Sequence, residues 1–369
     1  MVRISPRGMG IPCATNCKLQ CALFIIGLLS LVYVLYNASP QLIVAPQAPQ
    51  AHVMLNISNT MAVTTHNASL LTGKNATTVS EAAPAGVQQP HQDLTRGVPA
   101  EFIYEAGHVG FNSDICPDLG KNLQLLIAIT SAPSHQSSRM AIRQTWGHYG
   151  SRRDVAITFM LGTTSNQTLI DQIKEEEFLY GDIITGKFID TYDNLTLKTI
   201  SMLEWVDNYC PKASFVLKTD DDMFINVSRL LAFIGKHKPE QRNIYGRLAK
   251  KWKPIRNKKS KYYISPQQYK PAVFPDFTTG PAYLLPARLA KELYTAALNH
   301  TYFKLEDVFV TGIVANSLKI KRVHAPEFLN KRVSLTPCAV QRGISIHMVK
   351  GAEQYDLWKK LLDGLAKCK

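Results

Sequence analysis

The sequence predicts an α/β domain with a mostly parallel central sheet, set behind one transmembrane helix and a disordered stem. Three observations carry this. Apolar runs at 123–130, 155–161, 183–189 and 215–217 are continuous rather than alternating, the pattern of strands buried on both faces. Segments of helical periodicity stand between them, so strand and helix alternate and the strands run parallel. Ahead of them lies an apolar stretch at 19–36 whose single strongly polar residue is Gln20, followed by a span without any aromatic residue from Asn37 to Glu101.

The N-terminal third sets the topology. Eighteen helical residues reach about 27 Å, enough for a thin early-secretory bilayer. Arg3, Arg7 and Lys18 precede the span, and no Lys or Arg follows until Lys74. The positive-inside bias therefore predicts a cytosolic tail at 1–18, a signal-anchor at 19–36 and the rest of the chain in the lumen. A signal peptide cleaved near Ala38 and Ser39 is the rival reading, disfavoured by the length of the apolar run. Residues 37–101 are rich in Ala, Thr, Asn, Pro and Gln and cannot bury enough apolar surface to offset their ordering entropy. They read as a flexible, glycosylated stem carrying a lumenal domain at 102–369. The chain's formal charge of +14 would suit nucleic acid, but a lumenal domain excludes that partner, and the membrane contact is the single N-terminal helix.

Within the domain, 123–130 is a central strand ending in a Ser-Ala-Pro-Ser turn, and 138–146 a helix capped by Ser137 or Ser138. Strand 155–161, an acidic amphipathic helix at 166–178, strand 183–189 and a helix at 196–209 follow. The next strand, 215–217, runs into Asp220, Asp221 and Asp222, and Asn226 caps a helix ending at Ile234. Beyond it the pattern loosens. Seven basic residues crowd 250–261 and read as a solvated loop. An apolar strand at 282–285, helices at 286–298 and from 304, and a last helix at 352–366 close the chain.

Cys13, Cys17 and Cys21 lie before or at the start of the span, where acylation rather than pairing is open. Cys116, Cys210, Cys338 and Cys368 are lumenal, and four cysteines in an oxidising compartment suggest two bridges with three connectivities. No CxxC occurs among those four, which argues against zinc. N-x-S/T triplets begin at Asn37, Asn56, Asn67, Asn75, Asn166, Asn194, Asn226 and Asn299. Asn56, Asn67, Asn75 and Asn166 are the expected glycosylation sites. Asn194 and Asn226 sit beside motifs and are poor candidates.

Three consecutive aspartates at a strand's carboxyl end repel one another, and no neighbouring stretch neutralises all three. A divalent cation carrying a phosphorylated ligand would offset that repulsion. A calcium EF-hand is excluded, because 220–229 lacks the spread of ligands and the central glycine. Oxygen ligands favour Mn²⁺ or Mg²⁺. In parallel sheets, ligands bind beyond the carboxyl ends of the strands, where these aspartates stand.

Five blocks in order extend this reading: 139–147 (RMAIRQTWG), 190–199 (DTYDNLTLKT), 218–222 (KTDDD), 279–283 (TGPAY) and 306–312 (EDVFVTG). Together they resemble the β-1,3-glycosyltransferases, the galactosyltransferase-type family that includes β-1,3-N-acetylglucosaminyltransferases, across 116–368. The resemblance implies a GT-A nucleotide-sugar-binding fold and inverting transfer from a UDP-sugar, most simply UDP-galactose, to a glycan hydroxyl on a glycoprotein or glycolipid. It implies Asp222 and His347 as metal ligands, with Asp220 and Asp221 nearer the nucleotide. Asp307 is then the base, with Glu306 its runner-up. Arg139, Arg143, Asp190 and Lys198 become donor contacts, Lys198 as a point charge on phosphate. Trp252, Tyr263, Asp276 and Gly280 are assigned to the acceptor groove, whereas Trp146 reads as core. The implied bridges are Cys116–Cys210 and Cys338–Cys368. The block at 277–281 departs from the commoner members at Thr278, Thr279 and Pro281, which leaves sugar specificity open.

The resulting expectation is a type II Golgi membrane enzyme, with a homodimer as one open assembly. Its rivals are transfer of N-acetylglucosamine, a catalytically silent lumenal glycan-binding protein, and a metal-dependent phosphoesterase.

Overall fold

The computed structural model describes residues 97–363 and Cys368. The predicted tail, the signal-anchor, nearly all of the stem and its four sequons, at Asn37, Asn56, Asn67 and Asn75, lie outside the described residues. Among the described residues no helix is long and apolar enough to cross a membrane.

Eight strands form the central sheet: β1 (His108–Gly110), β2 (Leu125–Thr130), β3 (Val155–Thr163), β4 (Ile183–Ile189), β5 (Phe215–Asp220), β7 (Asn243–Ala249), β8 (Phe277–Pro286) and β9 (Lys321–His324). Two short strands, β6 (Phe224–Ile225) and β10 (Ser345–Ile346), pair apart from it. The sheet order is β1-β4-β3-β2-β5-β8-β7-β9. Strands β4, β3, β2 and β5 are parallel, as the continuous apolar runs predict. Strand β7 pairs parallel with β9, while β8 runs antiparallel to both β5 and β7 and β1 antiparallel to β4, so the sheet is mostly parallel as expected, with these antiparallel insertions.

All six residues of β2 are buried because the sheet is covered on both faces. Leu126 and Ala128 join one core, under the helices Leu195–Tyr209 and Ala290–Leu298. Leu125, Ile127 and Ile129 join the other with Ile142, Trp146 and Leu357, under the helices Gln136–Arg143 and Gly351–Leu362. Trp146 is fully buried, and its indole donates to Gln354 Oε1 at 3.1 Å.

Several elements differ from the sequence expectation. The helix expected at 138–146 runs Gln136–Arg143 with His135 at its N-cap and no side-chain cap bond. It stops because the chain turns sharply into a 3₁₀ segment, Trp146–Ser151, where a Cβ on Gly147 would lie 2.5 Å from the Ile142 carbonyl oxygen. The 282–285 strand is the end of a ten-residue strand. The segment after Asp307 forms a π-helix, Val308–Val314, a local distortion common at functional positions. Strands β7 and β9 had no strand signal: each alternates polar and apolar residues too weakly, and tertiary pairing decides them.

Order also starts earlier than expected. Ala100 is fully buried, its amide donates to the His300 carbonyl at 2.9 Å, and Tyr302 N donates to the Val98 carbonyl at 2.9 Å, so 98–101 belong to the domain. Cys116 is bonded to Cys210 and Cys338 to Cys368. Asn166 is exposed and caps its helix, its Oδ1 accepting from the Leu169 amide at 3.3 Å. Asn226 is buried, with Nδ2 directed at the Val340 and Gln341 carbonyls.

Candidate active site

The register of β2 with β5 sets Thr130 opposite Asp220 at the carboxyl ends of the parallel strands. Each aspartate then finds its own partner. Asp220 Oδ1 accepts from Thr130 Oγ1 at 2.7 Å and from Lys218 Nζ at 2.6 Å. Asp221 is buried, with Oδ2 accepting from Ser131 Oγ at 2.6 Å and lying 2.8 Å from His135 Nδ1. That bond holds the His135 imidazole above its ordinary pKa. Asp222 Oδ2 lies 3.3 Å from His347 Nε2.

His347 reaches Asp222 from the far end of the chain because β10 pairs antiparallel with β6, setting Ile346 opposite Phe224. The Val349 amide donates to the Asp222 carbonyl at 2.8 Å, and Gln354 Nε2 to the Met223 carbonyl at 2.9 Å, so the last helix is bolted to the aspartate turn. Asp220, Asp222 and His347 each offer one ligand atom, and these atoms lie within 4.8 Å of one another. Two carboxylates and an imidazole, half-exposed, suit a divalent cation of intermediate hardness. The expectation paired Asp222 with His347 and put Asp220 on the nucleotide. The structure instead groups Asp220 with the other two and takes Asp221 into the protein interior.

Opposite this cluster stand Glu306 and Asp307, at the entrance to the π-helix. Asp307 Oδ2 accepts from the Gly280 amide at 2.9 Å, and Oδ1 from the Val308 amide at 2.9 Å. A Cβ on Gly280 would lie 3.3–3.4 Å from the Glu306 and Asp307 side chains, so glycine lets the strand come this close. Burial pushes the Asp307 carboxyl above its ordinary value, against the pull of the two amides. Glu306 is more deeply buried, takes the Tyr283 hydroxyl at 2.6 Å and lies 3.5 Å from Lys218 Nζ. Burial also raises its pKa, with Lys218 opposing. Both Glu306 oxygens are engaged inside the protein, which leaves Asp307 as the more accessible of the pair.

Lys218 links the two groups. Its ammonium is buried between Asp220 and Glu306 and donates to the Gly280 carbonyl at 2.9 Å. Burial alone would depress it, but Asp220 and Glu306 outweigh burial and hold it above the ordinary lysine value. No reading of isolated residues pointed to Lys218, although it stands two residues before Asp220. Ser131 and His135 were likewise missed. Their signal was the turn directly after a buried strand, at the same sheet edge as the aspartates.

The expected donor contacts are corrected in part. Arg139 is fully buried, bonding Glu176 bidentately at 2.7 and 2.8 Å and Ser131 Oγ at 3.1 Å. Arg143 bonds Glu176 and Asp182 at 2.7–2.8 Å, between the rings of Phe159 and Tyr180. Lys198 is buried against Asp190 at 2.9 Å and the Ser131 carbonyl, and burial lowers its pKa. Asp190 also accepts from the Gly162 amide at 2.7 Å. These four side chains are internal ion pairs rather than exposed phosphate ligands, because the carboxylates beside them are buried and need compensation.

The acceptor assignment is scattered too. Gly280 touches Asp307, and Trp252 is half exposed and packs edge-on against Phe277. Asp276 instead lines a separate cavity of about 590 Å³ with Lys250, Lys321 and Arg322.

The family model described as galactosyltransferase matches residues 137–326, just over half of the chain. The chain belongs to the galactosyltransferase family. This galactosyltransferase-family chain is 36% identical over 242 residues to human beta-1,3-galactosyltransferase 5, covering 64% of this chain and 78% of that one. It is 34% identical over 254 residues to the rat UDP-GlcNAc:betaGal beta-1,3-N-acetylglucosaminyltransferase 7, covering 64% of each. A solved glycosyltransferase involved in glycosylation of the major capsid of PBCV-1 aligns at 12% identity and a TM-score of 0.36, covering 64% of this chain and 98% of that one. The matched range holds Asp220, Asp222, Glu306 and Asp307 but not His347. The chain is accordingly a hexosyltransferase.

Proposed function

We propose that this hexosyltransferase has a GT-A type fold and transfers galactose from UDP-galactose to a glycan hydroxyl, forming a β-1,3 linkage with inversion. The observation that carries this reading is one edge holding both an Asp220–Asp222–His347 cluster and, across Lys218, a carboxylate braced by backbone amides. An inverting transfer needs a charge-compensated diphosphate and one base on the opposite face of the sugar.

Asp307 takes the acceptor's hydroxyl proton as that oxygen attacks the anomeric carbon. The bond from that carbon to the diphosphate oxygen breaks, and the electron pair leaves with UDP. The Gly280 and Val308 amides fix the Asp307 rotamer, so little reorganisation precedes proton transfer. A divalent cation such as Mn²⁺, held by Asp220, Asp222 and His347, would neutralise the diphosphate charge. Asp221, tied to Ser131 and His135, keeps the turn that presents its two neighbours.

Similarity to a UDP-GlcNAc-using relative favours N-acetylglucosamine as a second donor. Two disulfides and an exposed sequon at Asn166 support a lumenal domain, and with the N-terminal apolar run they support a type II Golgi location. The test is a UDP-sugar panel against a glycan array, with the full-length chain in detergent. Consumption of UDP-galactose with β-1,3 product is expected. Glycan binding without consumption of any UDP-sugar would replace this reading with a lectin-like one.

A further inference from the structure

The three cations that the sequence suggested for the donor phosphates, and Lys218 beside them, are all committed to carboxylates. Arg139 and Arg143 hold Glu176 and Asp182, Lys198 holds Asp190, and Lys218 holds Asp220. A UDP leaving group gains negative charge as the anomeric bond breaks, because the electron pair stays on the phosphate oxygen. One further side-chain cation beside the cluster would stabilise that charge.

The basic loop at 250–261 supplies a candidate. Lys261 Nζ sits 4.8 Å from the Tyr192 ring centroid and 5.0 Å from that of Tyr262. The two rings meet edge to face at 6.4 Å. Tyr192 follows Asp190 by two residues, and Lys198 ties Asp190, at 2.9 Å, to the Ser131 carbonyl at the strand end whose Ser131 hydroxyl bonds Asp221, so the segment bearing Tyr192 starts from the sheet edge that carries the aspartates. Burial raises the Tyr192 hydroxyl pKa, and Asp307 and Asp220 raise it further. Among the described residues, no carboxylate lies within ion-pair distance of Lys261. Two aromatic faces attract the ammonium and restrict an otherwise long, mobile side chain. They leave its three N–H donors available to an anion.

We propose that Lys261, braced on Tyr192 and Tyr262, binds the diphosphate of the nucleotide-sugar donor. The loop that reads in sequence as solvated charge thus carries a phosphate ligand to the cleft. This rests on the donor assignment above.

The test measures binding of UDP and of uridine to the full-length chain in Mn²⁺, for wild type, Lys261→Met and Lys261→Arg. One charged hydrogen bond corresponds to about 10- to 100-fold. Lys261→Met is expected to weaken UDP by at least about tenfold with uridine unchanged, and Lys261→Arg to recover most of the loss. Transfer assays with a neutral and an anionic acceptor form the second arm. Unchanged UDP affinity in Lys261→Met overturns the proposal. A parallel loss of uridine and UDP, or a defect confined to the anionic acceptor, does the same. A wild type that binds no UDP-sugar overturns the donor assignment instead.

Discussion

Gly280 and Asp307, 27 residues apart, meet through a 2.9 Å hydrogen bond from the Gly280 amide to Asp307 Oδ2. The bond joins the sheet strand that borders the aspartates to the π-helix opposite them, and it aims the carboxylate whose burial raises its pKa. An aspartate with a raised pKa must lose its proton before it can accept one. Transfer should therefore fall as pH drops through an inflection above the ordinary carboxylate range. Asp307→Asn should remove that limb, lower turnover about 10²- to 10⁴-fold and spare UDP binding. Single-turnover rates between pH 4 and 8, with UDP titrations alongside, check both parts.

The grouping of Asp220 with Asp222 and His347 separates it from Asp221. Asp220→Asn, Asp222→Asn and His347→Ala should each weaken EDTA-sensitive UDP binding by about tenfold or more, since charge and ligand count set metal affinity. Asp221→Asn should leave metal dependence in place and lower thermal stability. Manganese titration followed by electron paramagnetic resonance distinguishes the two classes, and equal effects across all four variants would contradict the grouping.

Lys218 is buried between Asp220 and Glu306. Lys218→Met leaves two carboxylates uncompensated and should cost roughly 3–5 kcal/mol in urea unfolding. Adding Glu306→Gln should restore part of the loss, because one of the stranded charges is then gone.

Glu176 carries the opposite linkage. Burial alone would raise its pKa, but Arg139 and Arg143 outweigh burial and lower it from 4.5. A depressed carboxylate contributes stability that is present above its unfolded pKa and lost as pH falls through the lower native one. The stability gap between wild type and Glu176→Gln should thus be full at neutral pH and shrink below about pH 4.5. Denaturation curves at pH 7, 5 and 3 measure it. Asp307, raised rather than lowered, shifts stability the other way, favouring the native state slightly at low pH.

Much of the site was legible because its residues are contiguous or follow buried strands. The run of three aspartates stands at a strand end, and Glu306 with Asp307 opens a helical segment, so position along the chain already implied an edge. The arginines were misread for a physical reason. Spacing put Arg139 and Arg143 on one helix face, but only the fold shows that this face meets Glu176 and Asp182. Partner choice between distant charges is a tertiary matter.

By itself the sequence determined the parallel half of the sheet, since β2 to β5 are apolar runs that admit no other burial, and it determined the family through five ordered blocks. The tertiary structure alone decided which carboxylates share one site. His347 stands beside Asp222 only because two-residue strands pair across the chain, and Gly280 reaches Asp307 only because β8 runs back along β5. Local periodicity cannot encode such contacts, because they depend on where the backbone of one segment closes on another.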